Sequence, residues 1–236
     1  MSIADKFEVI ADEVYDKGVS DGKKSEYDEF WDVISSNWTR TTWSHAFKYW
    51  SCEYIHPPKQ IKPTAESIHV FAANPTLKKI EKKYFDFSGM PISSAQDLYQ
   101  GCPSLETIED VGLPAMRNYN YIFNGCTALK TIECLRFSNN TTTATRSFQS
   151  CQNLEHITIE GEICIDLDFS NSPLSRESIE SIINHLSDTT GATLTLKKTA
   201  VNREFGINVD DLSTWPEGSD YYKLRWSKAN WDFSHI

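Results

Sequence analysis

One pattern recurs four times along the chain and restricts its fold more than any other feature. FAANPTLKKI from Phe71 to Ile80, YQGCPSLETI from Tyr99 to Ile108, FNGCTALKTI from Phe123 to Ile132 and FQSCQNLEHI from Phe148 to Ile157 align without gaps as [FY]-x-x-[CN]-x-x-L-x-x-I. The leucine column reads Leu77, Leu105, Leu129 and Leu154, in steps of 28, 24 and 25 residues. A unit of this length cannot bury its own apolar side, so successive units must stack as coils of a solenoid. Apolar offsets of 0, 3, 6 and 9 are a poor match to a helical stripe of period 3.6.

Stacking gives each column a physical role. Leucine and isoleucine form interior ladders, with coils about 4.8 Å apart where strands pair. The aromatic column Phe71, Tyr99, Phe123 and Phe148 closes one end of the core. Cys102, Cys126 and Cys151, with Asn74 in the same column, fall where a coil turns, as small side chains that can be buried or can bond loop backbone. Trp has no room in so narrow a cross-section: four Trp lie within the first 50 residues, three within the last 22, and none between. A degenerate coil begins at Phe47, which precedes Phe71 by 24 residues and puts Glu53 in the leucine column. A later coil runs through Asp168 to Asn171, with Leu174 out of phase.

Two exposed columns follow from the same register. Lys78, Glu106, Lys130 and Glu155 alternate in sign and predict ion pairs between neighbouring coils. Glu81, Glu109, Glu133 and Thr158 form a mostly acidic ladder. It reads either as a solvated face or as a candidate contact for a cation, a basic partner or sugar hydroxyls.

The flanks are helical in pattern. Ile3, Phe7, Ile10 and Val14 make one amphipathic stripe, and Tyr27, Phe30, Trp31 and Ile34 a second. Ile179, Ile182, Ile183 and Leu186 predict a helix capped by Ser175, and ATLTLKK alternates as a strand does. The tail YYKLRWSKANWDFSHI suits an aromatic end cap.

The repeats, F-x-G-C-x-x-L-x-x-I in particular, resemble the BspA-type leucine-rich repeats of bacterial surface and phage-borne proteins, over roughly residues 71 to 160. Val14 to Ile34, with Gly22-Lys23-Lys24, Glu26-Tyr27-Asp28 and Phe30-Trp31-Asp32, resembles the opening segment of phage-borne proteins with such repeats. It departs from that pattern in a longer linker, Val19-Ser20-Asp21. The order of strand, PLS-led helix and TLTL strand resembles their closing part. The resemblance implies an α+β irregular leucine-rich-repeat solenoid of five or six coils. Residues 1–40 form an attachment or oligomerisation segment, 41–175 the repeat body and 176–236 a helix-plus-strand cap with an aromatic tail.

Chemistry is sparse. None of the six Cys forms C-x-x-C or stands at zinc-ligand spacing from a His, and no hydrolase, phosphate-loop or dinucleotide motif occurs. Asp166 and Asp168 read as the polar positions of an alternating strand. Trp43 and Trp50, in TRTTWSHAFKYW, either stack on sugar rings or cover the first coil. With 39% hydrophobic residues the chain buries a sizeable core, and its net charge of −10 disfavours nucleic acid and anionic membranes. No apolar run reaches the roughly 18 residues of a membrane span, and the acidic start lacks the pattern of an export signal. The expectation is a non-enzymatic recognition protein without cofactor or metal. It would be carried on a phage or prophage tail and bind a host-surface glycan or protein, with its N-terminal helices holding other virion proteins or sister copies. The alternative is a bacterial surface adhesin or host-interaction protein, reaching the surface by a non-Sec route or remaining cytoplasmic.

Overall fold

The computed structural model describes residues 47–51, 53–57, 60–64, 68–188, 191–211, 213, 215 and 220–236. The expected N-terminal helices, Trp43 and Cys52 lie outside the described residues. The chain is a parallel β-solenoid. Four coils contribute strands β1 (Lys79–Ile80), β2 (Thr107–Ile108), β3 (Thr131–Phe137) and β4 (His156–Gly161) to one sheet of order β1-β2-β3-β4. The register places Ile80, Ile108, Ile132 and Ile157 side by side, so the isoleucine column of the repeat is the sheet's interior ladder. Leu77, Leu105, Leu129 and Leu154 are wholly buried beside it.

The aromatic column is longer than the four regular repeats. Phe47, Phe71, Tyr99, Phe123, Phe148 and Phe169 follow one another at ring separations of 5.5, 5.4, 5.6, 5.7 and 4.2 Å. The degenerate coils read at Phe47 and Phe169 therefore stack with the regular ones. Tyr99 is the one member carrying a hydroxyl, and that oxygen is buried with no hydrogen-bond partner among the described residues. The cysteine column is the coil-to-coil clip. The thiols of Cys102, Cys126 and Cys151 donate to the carbonyls of Phe71, Tyr99 and Phe123 on the preceding coil, at 3.1, 3.0 and 3.3 Å. Asn74 serves its own turn, its Oδ1 accepting from the Leu77 N–H at 3.1 Å.

Each regular coil reverses direction through left-handed residues flanking the aromatic. Two positions before it stand His69, Asp97, Tyr121 and Arg146, and two after it Ala73, Gly101, Gly125 and Ser150, all with φ between 55° and 79°. Gly101 and Gly125 occupy this conformation without strain, whereas Ala73 and Ser150 carry a Cβ there.

Glu53 corrects one detail of the sequence reading. Its carbonyl accepts from the Lys78 N–H at 2.9 Å, as Lys78 does from Glu106 and Glu106 from Lys130. Glu53 thus belongs to the charged column and not to the leucine column, because the first coil reaches that column in six residues from Phe47 where the next takes seven from Phe71. Of the ion pairs predicted along this column, Lys130 meets Glu106 at 2.7 Å, while Lys78 meets Glu53, which the sequence reading places elsewhere, at 2.8 Å.

Beyond β4 the stack changes character. Helix α1 (Arg176–Asn184) is capped by Ser175, whose hydroxyl accepts from the Ser178 N–H, and buries Ile179, Ile182 and Ile183. It lies against β4 and occupies the place of a fifth strand: Ser178 Oγ accepts the Ile157 N–H at 2.9 Å and donates to the Glu155 carbonyl, while Ser181 Oγ accepts the Ile159 N–H at 3.1 Å. Two serine hydroxyls on one helix face so satisfy amides that an open sheet edge would leave for another chain. A second parallel sheet of order β5-β6-β7 follows, from β5 (Leu167–Phe169), β6 (Thr193–Leu196) and β7 (Asp232–His235). Helices α2 (Lys198–Phe205) and α3 (Asp220–Ser227) connect β6 to β7. Strand β6 is the one read in ATLTLKK. The tail is not simply an aromatic plug, since it forms α3 and a third paired strand.

Candidate recognition surface

The acidic ladder is held by the chain's own cations and amides. Glu81 lies 3.0 Å from His56 and 3.2 Å from Lys83, with its side chain only 14% exposed. Glu109 pairs with Lys79 at 2.5 Å and accepts the Lys82 N–H at 2.8 Å. Burial opposes ionisation of Glu109, but Lys79 and that amide outweigh it and hold the carboxyl below its ordinary pKa. Glu133 accepts the Asp110 N–H at 3.1 Å. Each glutamate reaches a partner, so the ladder works first as a brace between coils. Trp50 is half-buried and meets Phe47 edge to face at 5.0 Å.

A stronger clasp stands nearby. Arg136 on β3 bonds both oxygens of Asp110, at 2.8 and 2.9 Å, and Glu160 on β4 at 2.9 Å. One guanidinium therefore ties three successive coils, and it holds the Asp110 carboxyl down at about 2.

The strip before the aromatic column carries a different chemistry. Ser94, Asn118 and Thr143 stand in parallel register, and amide and hydroxyl groups link the coils from there. Asn118 Nδ2 donates to Gln96 Oε1 at 3.2 Å, Thr143 Oγ1 donates to Asn120 Oδ1 at 2.6 Å, and the Thr145 N–H reaches that same oxygen at 2.7 Å. Asp97 takes a bond from Gln96 and lies 3.0 Å from His69. Arg146 lies over the ring of the half-exposed Tyr121 at 6.0 Å.

This strip runs into a groove of about 630 Å³ where three coils meet. Its walls are Thr142 to Arg146 from one coil, Cys164 to Asp168 from the next, and Gly191 to Thr195 with β6 from the third. Alternation on β5 and β6 decides what faces it: Leu167, Phe169, Leu194 and Leu196 point into the core, which leaves Asp168, Thr193 and Thr195 outward. Asp168 pairs in register with Thr195. Asp166 Oδ1 accepts the Thr193 N–H at 2.7 Å and Asp168 Oδ1 accepts the Ser170 N–H at 2.8 Å.

The sequence singled out Asp166 and Asp168 only as strand alternation; Asp168 is the outward position of β5, while Asp166 lies just before that strand. The sequence did not foresee that they would meet Thr193 and Thr195 and share a groove with Thr143 and Thr145. No group of three or more His, Cys, Asp or Glu able to hold a metal ion occurs among the described residues, and none of their helices is long and apolar enough to cross a membrane. Comparison of the chain with protein-family models, with curated proteins and with solved structures matched none of them.

Proposed function

We propose that the chain is a non-enzymatic recognition protein of the BspA-type leucine-rich-repeat kind, carried on a phage or prophage tail and binding a component of the host surface through its coils. The observation that carries this reading is the polar strip: consecutive coils present a continuous row of amides and hydroxyls that ends in an open groove. Such a surface makes many directional hydrogen bonds and has no concentrated reactive centre. Residues 176–236 act as the cap of the stack, and residues 1–40 as the segment that holds the protein to the virion or to sister copies.

Binding of the purified protein to intact host cells and their envelope fractions tests the reading. Saturable binding that is lost when the envelope is stripped of its surface glycans and proteins is expected. No binding to any envelope sinks it. Tail and lysis genes beside the coding sequence are expected for a virion protein, whereas cell-envelope genes there would favour the adhesin.

A further inference from the structure

We infer that the groove between residues 142–146, 164–168 and 191–195 is the ligand site, and that it takes an uncharged saccharide; this rests on the recognition reading above. Thr143 and Thr145, Asp166 and Asp168, and Thr193 and Thr195 line the groove from three coils, the last two pairs each separated by a buried leucine, Leu167 or Leu194. Neighbouring paired strands stand about 4.8 Å apart. Asp168 and Thr195 pair in parallel register and the Thr193 N–H donates to Asp166 Oδ1, so these two rows set carboxylates beside hydroxyls at a spacing that suits hydroxyl groups on a sugar ring, with Thr143 and Thr145 lining the same groove.

Charge narrows the ligand class. Asp166 and Asp168 face the groove and only Arg146 opposes them, in a chain of net charge −10, so a sulfated, phosphorylated or uronic sugar would meet net repulsion. Arg146 on the same wall works against a basic peptide. Each aspartate has one oxygen engaged by a backbone N–H, and its second oxygen can accept from a neutral hydroxyl. Thr193 and Thr195 are half-buried on the groove wall, and a threonine hydroxyl can both donate and accept.

The test uses the full chain on an array of neutral and anionic oligosaccharides, with polylysine as a basic-peptide probe, and variants D168N, T195V and E109Q. Retention on neutral oligosaccharides, weakened by about tenfold in D168N and T195V but not in E109Q, is the expected result. All three variants change exposed or half-exposed positions, and thermal melts like that of the unchanged protein establish that they remain folded. Preference for anionic sugars or for polylysine overturns the ligand class. Undiminished binding in D168N and T195V overturns the groove while leaving recognition standing. Envelope binding without any oligosaccharide binding overturns the saccharide and not the recognition, whereas absence of envelope binding removes both.

Discussion

Asp110→Asn should weaken the stack by an amount that depends on pH in a calculable way. The change keeps the size of the side chain and removes the charge that Arg136 grips at 2.8 and 2.9 Å. Moving a carboxyl from 3.8 to about 2 corresponds to roughly 2.4 kcal/mol at 1.36 kcal/mol per tenfold. Asp110 is 28% and Arg136 24% exposed, and solvent screening reduces this to about 1–2 kcal/mol. The folded value lies below the unfolded one, so the stabilisation is fully present at neutral pH and is lost as pH falls from about 4 through about 2; linkage leaves roughly half of it at pH 3. Urea unfolding of both proteins at pH 7 and pH 3 measures it, because the difference between them cancels the other carboxylates. A difference below about 0.5 kcal/mol at pH 7, or one unchanged at pH 3, would refute the clasp.

Other consequences are as direct. Tyr99→Phe removes a buried hydroxyl that has no partner among the described residues and makes the column uniform, so it should leave stability unchanged or raise it by up to about 1 kcal/mol, read as a shift in urea midpoint. Gly161→Ala should cost more than about 3 kcal/mol or prevent folding, since a Cβ there would stand 2.0 Å from the Phe137 carbonyl oxygen at a φ of +82°; a normal melting curve contradicts the tight contact between β3 and β4. Burial pushes the Cys126 thiol up and the Cys151 thiol to about 12, and Cys102 is equally buried. An alkylating reagent at pH 8, followed by peptide mass spectrometry, should therefore modify these three only after denaturation.

The columns were legible because burial and repetition coincide: Phe, Cys, Leu and Ile return at fixed offsets wherever a coil must fill the same cross-section. Legibility failed where one residue breaks the count. Between Phe47 and Glu53 the coil is one residue short, and only the hydrogen bond to Lys78 reveals which column Glu53 occupies. The acidic ladder was found, but its partners were not, because Lys79, Lys83 and His56 reach it from positions that carry no repeat signal. Ser178 and Ser181 carry no signal of their own; nothing in their spacing announces that they would satisfy the amides of β4. The groove was least legible, since Thr143, Asp168 and Thr195 come to line one groove only through the stacking of coils more than 20 residues apart in the chain, across the change from the first sheet to the second.

Removing one complete coil tests the stacked architecture most directly. Deletion of residues 99–122 joins Leu98 to Phe123, so that 24 residues leave and each column of the following coil takes the place of its predecessor. The shortened protein should remain folded with a cooperative unfolding transition, although less stable for the loss of Asp110 and one layer of core. Deletion of residues 99–110 breaks every column and should abolish folding. If the 24-residue deletion unfolds as completely as the 12-residue one, the coils are not interchangeable layers of a solenoid and the account fails.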